Sequence, residues 1–123
     1  MTTQEGNHMT KALLTAVVVL ALMGAACGGG GGSDCTSANA TKLTGTLTVK
    51  DFAFSPKCFS VASGSTISVA NDDPTLHNFT VTGTNVAVPL PSGETGEATA
   101  PAAGTYDFLC TIHPAMRGTI IVT

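Results

Sequence analysis

From Lys42 onward the chain alternates between apolar and polar positions. Leu43, Gly45, Leu47 and Val49 interleave with Thr44, Thr46, Thr48 and Lys50, a period of two that sends the two sets to opposite faces of an extended strand. Short runs of the same kind recur at Cys58–Val61, Thr66–Val69, Asn78–Thr82, Val86–Leu90, Glu94–Ala100, Tyr106–Cys110 and Thr119–Val122. Turn-forming residues separate them at Asn71–Pro74, Gly83–Asn85, Pro91–Gly93 and Pro101–Gly104. Threonine, a good strand former, occurs sixteen times from Thr36 to the end. No window after the first thirty residues holds a helical period. Eight short strands at roughly ten-residue spacing predict an all-β sandwich or barrel.

The segment before this domain has a different character. Ala12–Ala26 carries thirteen apolar side chains in fifteen positions, follows Lys11 and closes on Gly24-Ala25-Ala26 before Cys27. It is too short for a membrane span and reads as a secretory signal over residues 1–26. Ninety-seven residues then remain, enough for one hydrophobic core. They carry four basic and seven acidic side chains, so nothing basic is available to grip a phosphate backbone and nucleic acid is excluded as a partner.

The four cysteines divide by setting. Cys27 stands at the cleavage junction before Gly28–Gly32, and this layout resembles that of bacterial lipoproteins, whose first mature cysteine is acylated. Gly24 stands where that pattern usually has leucine, with Leu22 two positions earlier. Residues 27–41 then form the lipid-anchor cysteine and a flexible, Gly-rich tether with an average reach of roughly 20 Å. Cys35 and Cys58 remain as a bridge pair between tether and domain. Cys110 is left over.

Chemistry concentrates in the turn Tyr106–Gly118. Tyr106, Phe108 and Cys110 share one face of a strand, so the thiol falls at its inner end. His113 follows three residues later and Met116 three after that, while His77 lies at another strand end just after Asp72-Asp73-Pro74. Zinc gains little from a thioether, and hard cations want oxygen ligands. Two imidazoles, one thiolate and a weak axial thioether describe a mononuclear blue-copper site.

Gly104-Thr105-Tyr106-x-Phe108-x-Cys110-x-x-His113-Pro114-x-Met116 resembles the copper loop of cupredoxins, with the short spacing of their amicyanin-like members. Asp51-Phe52-x-Phe54-Ser55-Pro56, Val61-x-x-Gly64-x-Thr66-Ile67 and Asn71-x-Asp73-x-x-x-His77-Asn78 resemble the family's N-terminal half. The resemblance implies an eight-stranded Greek-key sandwich over residues 42–123, one type 1 copper, and His77, Cys110, His113 and Met116 as ligands. It implies that Asn78 cross-links the two ligand loops, as in plastocyanin-like members. Ile112 replaces a proline usual in such loops and removes no ligand.

Electron transfer without catalysis is the function implied. Leu109 and Thr111 flank Cys110, so the histidine bridge by which multicopper enzymes pass electrons to a second copper is absent. A binuclear centre would need a second cysteine in the loop. A copper-binding or copper-delivery protein is the alternative; against it, one Met and two His follow residue 26, all within the motif. Redox partners are expected to dock transiently near His113, on a rim of Pro114, Ala115, Ile112 and either Pro74 or Leu90. The chain is expected to be a monomer, exported to the periplasm or another extracytoplasmic space, and held at the membrane through Cys27. Mass analysis of the mature N-terminus from native membranes should find Cys27 carrying an acyl modification; an unmodified thiol there would remove the anchor.

Overall fold

A computed structural model describes residues 34–123. The signal segment, Cys27 and Gly28–Gly32 lie outside the described residues. Among the described residues ten strands form two sheets. The first sheet contains β1 (Thr41–Lys42), β4 (Cys58–Val61), β6 (His77–Val81), β7 (Ala87–Leu90), β9 (Gly104–Leu109) and β10 (Arg117–Val122), in the spatial order β1-β4-β10-β9-β6-β7. The second contains β2 (Thr46–Lys50), β3 (Ala53–Ser55), β5 (Thr66–Asn71) and β8 (Thr95–Thr99), in the order β3-β2-β5-β8. No helix occurs among the described residues.

Two of these strands are absent from the alternation. β3 is three residues long and pairs antiparallel with β2 across the turn at Asp51-Phe52, and so short a stretch carries no period to read. β1 runs parallel to β4 and corrects the predicted start of the domain. Residues 34–41 are folded rather than free: Cys35 is disulfide-bonded to Cys58, and Asn39 accepts a hydrogen bond from the Thr36 amide at 2.7 Å. The polar composition that suggested a tether reflects a capped turn held by its own side chain and by the bridge.

The sandwich core fills with inward residues of both sheets: Leu47 and Val49 from β2, Ile67 and Val69 from β5, Phe79 and Val81 from β6, and Ile120 from β10. Phe108 lies at its centre. Its ring contacts Phe54 at 5.0 Å between centroids, Phe79 at 5.2 Å and Phe59 at 5.4 Å. Inclined and edge-on aromatic contacts of this kind favour one packing arrangement. Phe108 is two residues before Cys110, so the core fixes the strand that delivers the thiol.

Strands β6 and β9 pair only at Thr80↔Leu109 and Val81↔Phe108. Continuing that register would set Asn78 opposite Thr111, but the backbone ladder has already ended there. The sheet therefore opens at one end, between the strands that carry His77 and Cys110.

Gly118 permits the packing behind Phe108. A Cβ on Gly118 would run into the Lys57 carbonyl oxygen and the Phe108 ring, and neither the backbone nor a ring locked in the core can yield. Gly118→Ala should therefore destabilise the domain by about 1–3 kcal/mol, the usual cost of overpacking, read as a lowered denaturant midpoint. An unchanged midpoint would show that the strand pair has room to spare.

Candidate metal centre

The opening between β6 and β9 gathers His77, Cys110 and His113. His77 begins β6 and is fully buried; Cys110 follows β9 and is fully buried; His113 lies on the loop between β9 and β10 and is half-buried. His77 Nδ1 is 3.2 Å from His113 Nδ1, and Cys110 Sγ is 3.9 Å from each of those nitrogens. A triangle with those sides has its circumcentre about 2.1 Å from every corner, which matches first-row metal distances to nitrogen and sulfur. The thiol is free, whereas Cys35 and Cys58 are bonded to each other. Two imidazole nitrogens and one thiol converging on a point at metal-bonding distance fit a copper ion.

Two corners, Cys110 and His113, are held by one loop and the third, His77, by the start of β6. The loop from Cys110 to Met116 closes through the Cys110 amide donating to the Met116 carbonyl at 3.0 Å and the Met116 amide donating to the His113 carbonyl at 2.8 Å. Arg117 adds two bonds to the Pro114 carbonyl, at 3.0 Å through Nε and 2.7 Å through its terminal nitrogen. Met116 is 3% exposed and packs in the core cluster. Asn78 spans the open end of the sheet. Its Oδ1 accepts from the Thr111 amide at 2.9 Å, and its Nδ2 donates to Thr111 Oγ1 at 2.7 Å. These side-chain bonds occupy the place where the ladder would have continued. The Asn78 amide also points at Cys110 Sγ, 3.4 Å away.

His77 is oriented by Asp73, whose Oδ2 is 2.9 Å from His77 Nε2. A carboxylate in that position takes the proton on Nε2 and leaves Nδ1 with a lone pair facing Cys110 and His113. The same carboxylate accepts the Asp51 amide at 2.6 Å on Oδ1 and the Phe52 amide at 2.9 Å on Oδ2. Asn71 steadies the loop beneath, donating to the Leu90 carbonyl at 2.7 Å and the Thr75 carbonyl at 2.8 Å, while its Oδ1 accepts the Asp73 amide at 3.0 Å. The Asp73 pKa lies below the usual carboxylate range: the Phe52 amide lowers it most, burial opposes, and His77 and the Asp51 amide lower it further.

Of the expected ligands the structure brings His77, Cys110 and His113 together; sequence reasoning passed over Asp73 and Phe52 as working parts. The i,i+4 spacing of Asp73 and His77 was the available signal for the first. For Phe52 no sequence signal existed, because its place depends on two consecutive residues with positive φ, 52° at Asp51 and 57° at Phe52. The predicted rim also needs correction. Leu90 is fully buried at the end of β7, where it packs in the core, and cannot face a partner. Among the described residues the large apolar side chains that are exposed are Phe52, Leu76 and Ile112.

The fold and the donor set together define a copper protein with a single metal centre. The chain matches the cupredoxin-like domain family over residues 13–122 and belongs to that family. No curated protein sequence matches it. Among solved structures it is similar to the Cu(I) form of an amicyanin variant, at 27% identity and a TM-score of 0.55, over 68% of this chain and 82% of that one. It is also similar to a reduced amicyanin variant, at 26% identity and a TM-score of 0.55, over 72% and 86% of the two chains. An oxidised amicyanin variant matches at 26% identity and a TM-score of 0.54, over 68% and 82%. The protein takes one copper per chain.

Because its folded pKa is depressed, Asp73 contributes stability that is fully present above the ordinary carboxylate range and is lost as pH falls through the folded value. Asp73→Asn places an amide where an oxygen must accept on both sides, so one donor loses its partner. Unfolding of the metal-free protein, followed from neutral to strongly acidic pH, should show a shallower acid-side loss of stability in Asp73→Asn than in wild type. Parallel curves would place the acid sensitivity elsewhere.

Proposed function

We propose that this protein carries one electron on its copper, with no catalysis of its own. The observation that carries this reading is the convergence of His77 Nδ1, His113 Nδ1 and Cys110 Sγ on one point inside a rigid sandwich. When bound, copper supplies the Cu(II)/Cu(I) couple. The chain supplies a mixed set of nitrogen and sulfur donors that suits both oxidation states, held by separate hydrogen-bonded supports that give little room to rearrange. Met116 would supply the fourth ligand in this reading. Its backbone closes the ligand loop and its side chain is buried in the same apolar cluster as Cys110. Asn78 keeps the two ligand-bearing strand ends at fixed separation.

His113 is the donor nearest solvent. The exposed apolar side chains Leu76 and Ile112 each adjoin a histidine donor in sequence, and Phe52 contacts both imidazole rings. A small apolar patch with few charges to desolvate suits redox partners that must bind and leave quickly. Export to an extracytoplasmic space, a membrane anchor through Cys27 and a monomeric state complete the proposal. The apolar segment before Cys27 and the glycine run after it support export and the anchor.

The purified protein should bind copper at one per chain and show an intense thiolate-to-copper absorption that bleaches reversibly on reduction. Cys110→Ser should abolish that band while leaving the β-sheet circular dichroism intact, because a hydroxyl is a poor soft ligand. Met116→Leu should keep the colour and shift the reduction potential. Strong blue colour persisting in Cys110→Ser would overturn the ligand assignment.

A further inference from the structure

Phe52 stands apart from the other four phenylalanines. Phe54, Phe59, Phe79 and Phe108 are buried in the core, whereas Phe52 is 50% exposed. It follows Asp51 in a left-handed conformation and is itself left-handed. Residues with side chains avoid that region on steric grounds, and persist there only where their surroundings enforce it. The enforcing group here is the Asp73 carboxylate, which accepts both amides of the turn.

The turn places the Phe52 ring edge-on to two imidazoles at once. Its centroid lies 5.2 Å from that of His77 at an interplanar angle of 87°, and 5.1 Å from that of His113 at 89°. The two imidazoles are 5.0 Å apart, so the three rings form a nearly equilateral cluster. His77 already has Asp73 to orient it. Among the described residues no carboxylate pairs with His113, and its neighbours Ile112 and Pro114 are exposed.

We propose that Phe52 is a positioning residue for His113. Its ring braces the imidazole in the orientation that turns Nδ1 toward His77 and Cys110, and covers that side of the donor cluster against water. The conformational strain of the Asp51-Phe52 turn is held by the same carboxylate that orients His77, so one buried group sets both imidazoles, the first directly and the second through Phe52. The purpose of the brace rests on the copper reading, but its geometry belongs to the protein alone.

Two measurements test it. In the metal-free protein, side-chain carbon relaxation at His113 Cε1 should show increased mobility in Phe52→Ala and in Phe52→Leu, which keeps apolar bulk but lacks a ring edge. Phe52→Tyr should restore the wild-type value. In the copper-loaded protein, release of copper to an excess of chelator should quicken roughly three- to tenfold in Phe52→Ala and Phe52→Leu, the effect expected of one lost aromatic contact, and return toward wild type in Phe52→Tyr. Wild-type His113 mobility in Phe52→Ala, or wild-type behaviour of Phe52→Leu in both measurements, would overturn the proposal. A response of His113 mobility in a chain that takes up no copper would uphold the brace and defeat the copper reading, so the two can be told apart.

Discussion

The buried carboxylate of Asp73 is the group on which the centre depends. It accepts hydrogen bonds from His77 and from the amides of Asp51 and Phe52. Charge-assisted bonds of this kind are about twice as strong as neutral ones, and a buried carboxylate is tolerable only when it is so surrounded. Its supports come from both sheets: the turn between β2 and β3 lies on one side, and the start of β6 on the other. Without it, the His77 tautomer is unspecified and the left-handed turn has nothing to hold it. The loop that places Asp73 is in turn secured by Asn71, at the end of β5, and by Ser92, whose hydroxyl donates to the Asp73 carbonyl at 2.8 Å.

The thiol depends on a different set of constraints. Phe108 locks β9 into the aromatic core, and Cys110 follows at the point where β6 and β9 part. An open sheet end would ordinarily leave backbone donors and acceptors to water. Here Asn78 joins the two strands through its side chain, keeping the strands apart by a fixed amount and leaving the intervening space to the donors. The fold thus holds its site in a gap in its own hydrogen bonding. Paired strands flank the gap on both sides.

The strands with several alternating residues were legible in the sequence, because a period of two over four or five positions identifies a buried face whatever the tertiary context. The close spacing of Cys110 and His113 at a strand end was legible too, and the structure brings both together with His77. β3 was not, since three residues carry no period. The folded start at residues 34–41 was hidden by its polar composition: a turn satisfied by Asn39 reads the same as a tether. Leu90 was misplaced because sequence marks it as apolar without saying which way its side chain faces; it sits opposite His77 but is buried in the core. The hold of Asp73 on the Asp51-Phe52 turn and the contact of Phe52 with His113 join segments far apart in the chain, whose approach only the sheet pairing decides.

The bridge between Cys35 and Cys58 also has a mechanical side. β1, the strand at the sheet edge, has only two residues, and on its own would peel away under a small pull. A tension arriving along the chain from before Cys35 bypasses β1 and enters the domain at Cys58, the first residue of β4. β4 lies parallel to β10 over four register positions, so the load meets an array of hydrogen bonds inside the sheet rather than a frayed edge. β10 begins at Arg117, next to the ligand loop, while its pairing with β4 runs from Thr119 to Val122. The covalent clamp therefore directs external force into the body of the sheet and past the residues that close the metal centre.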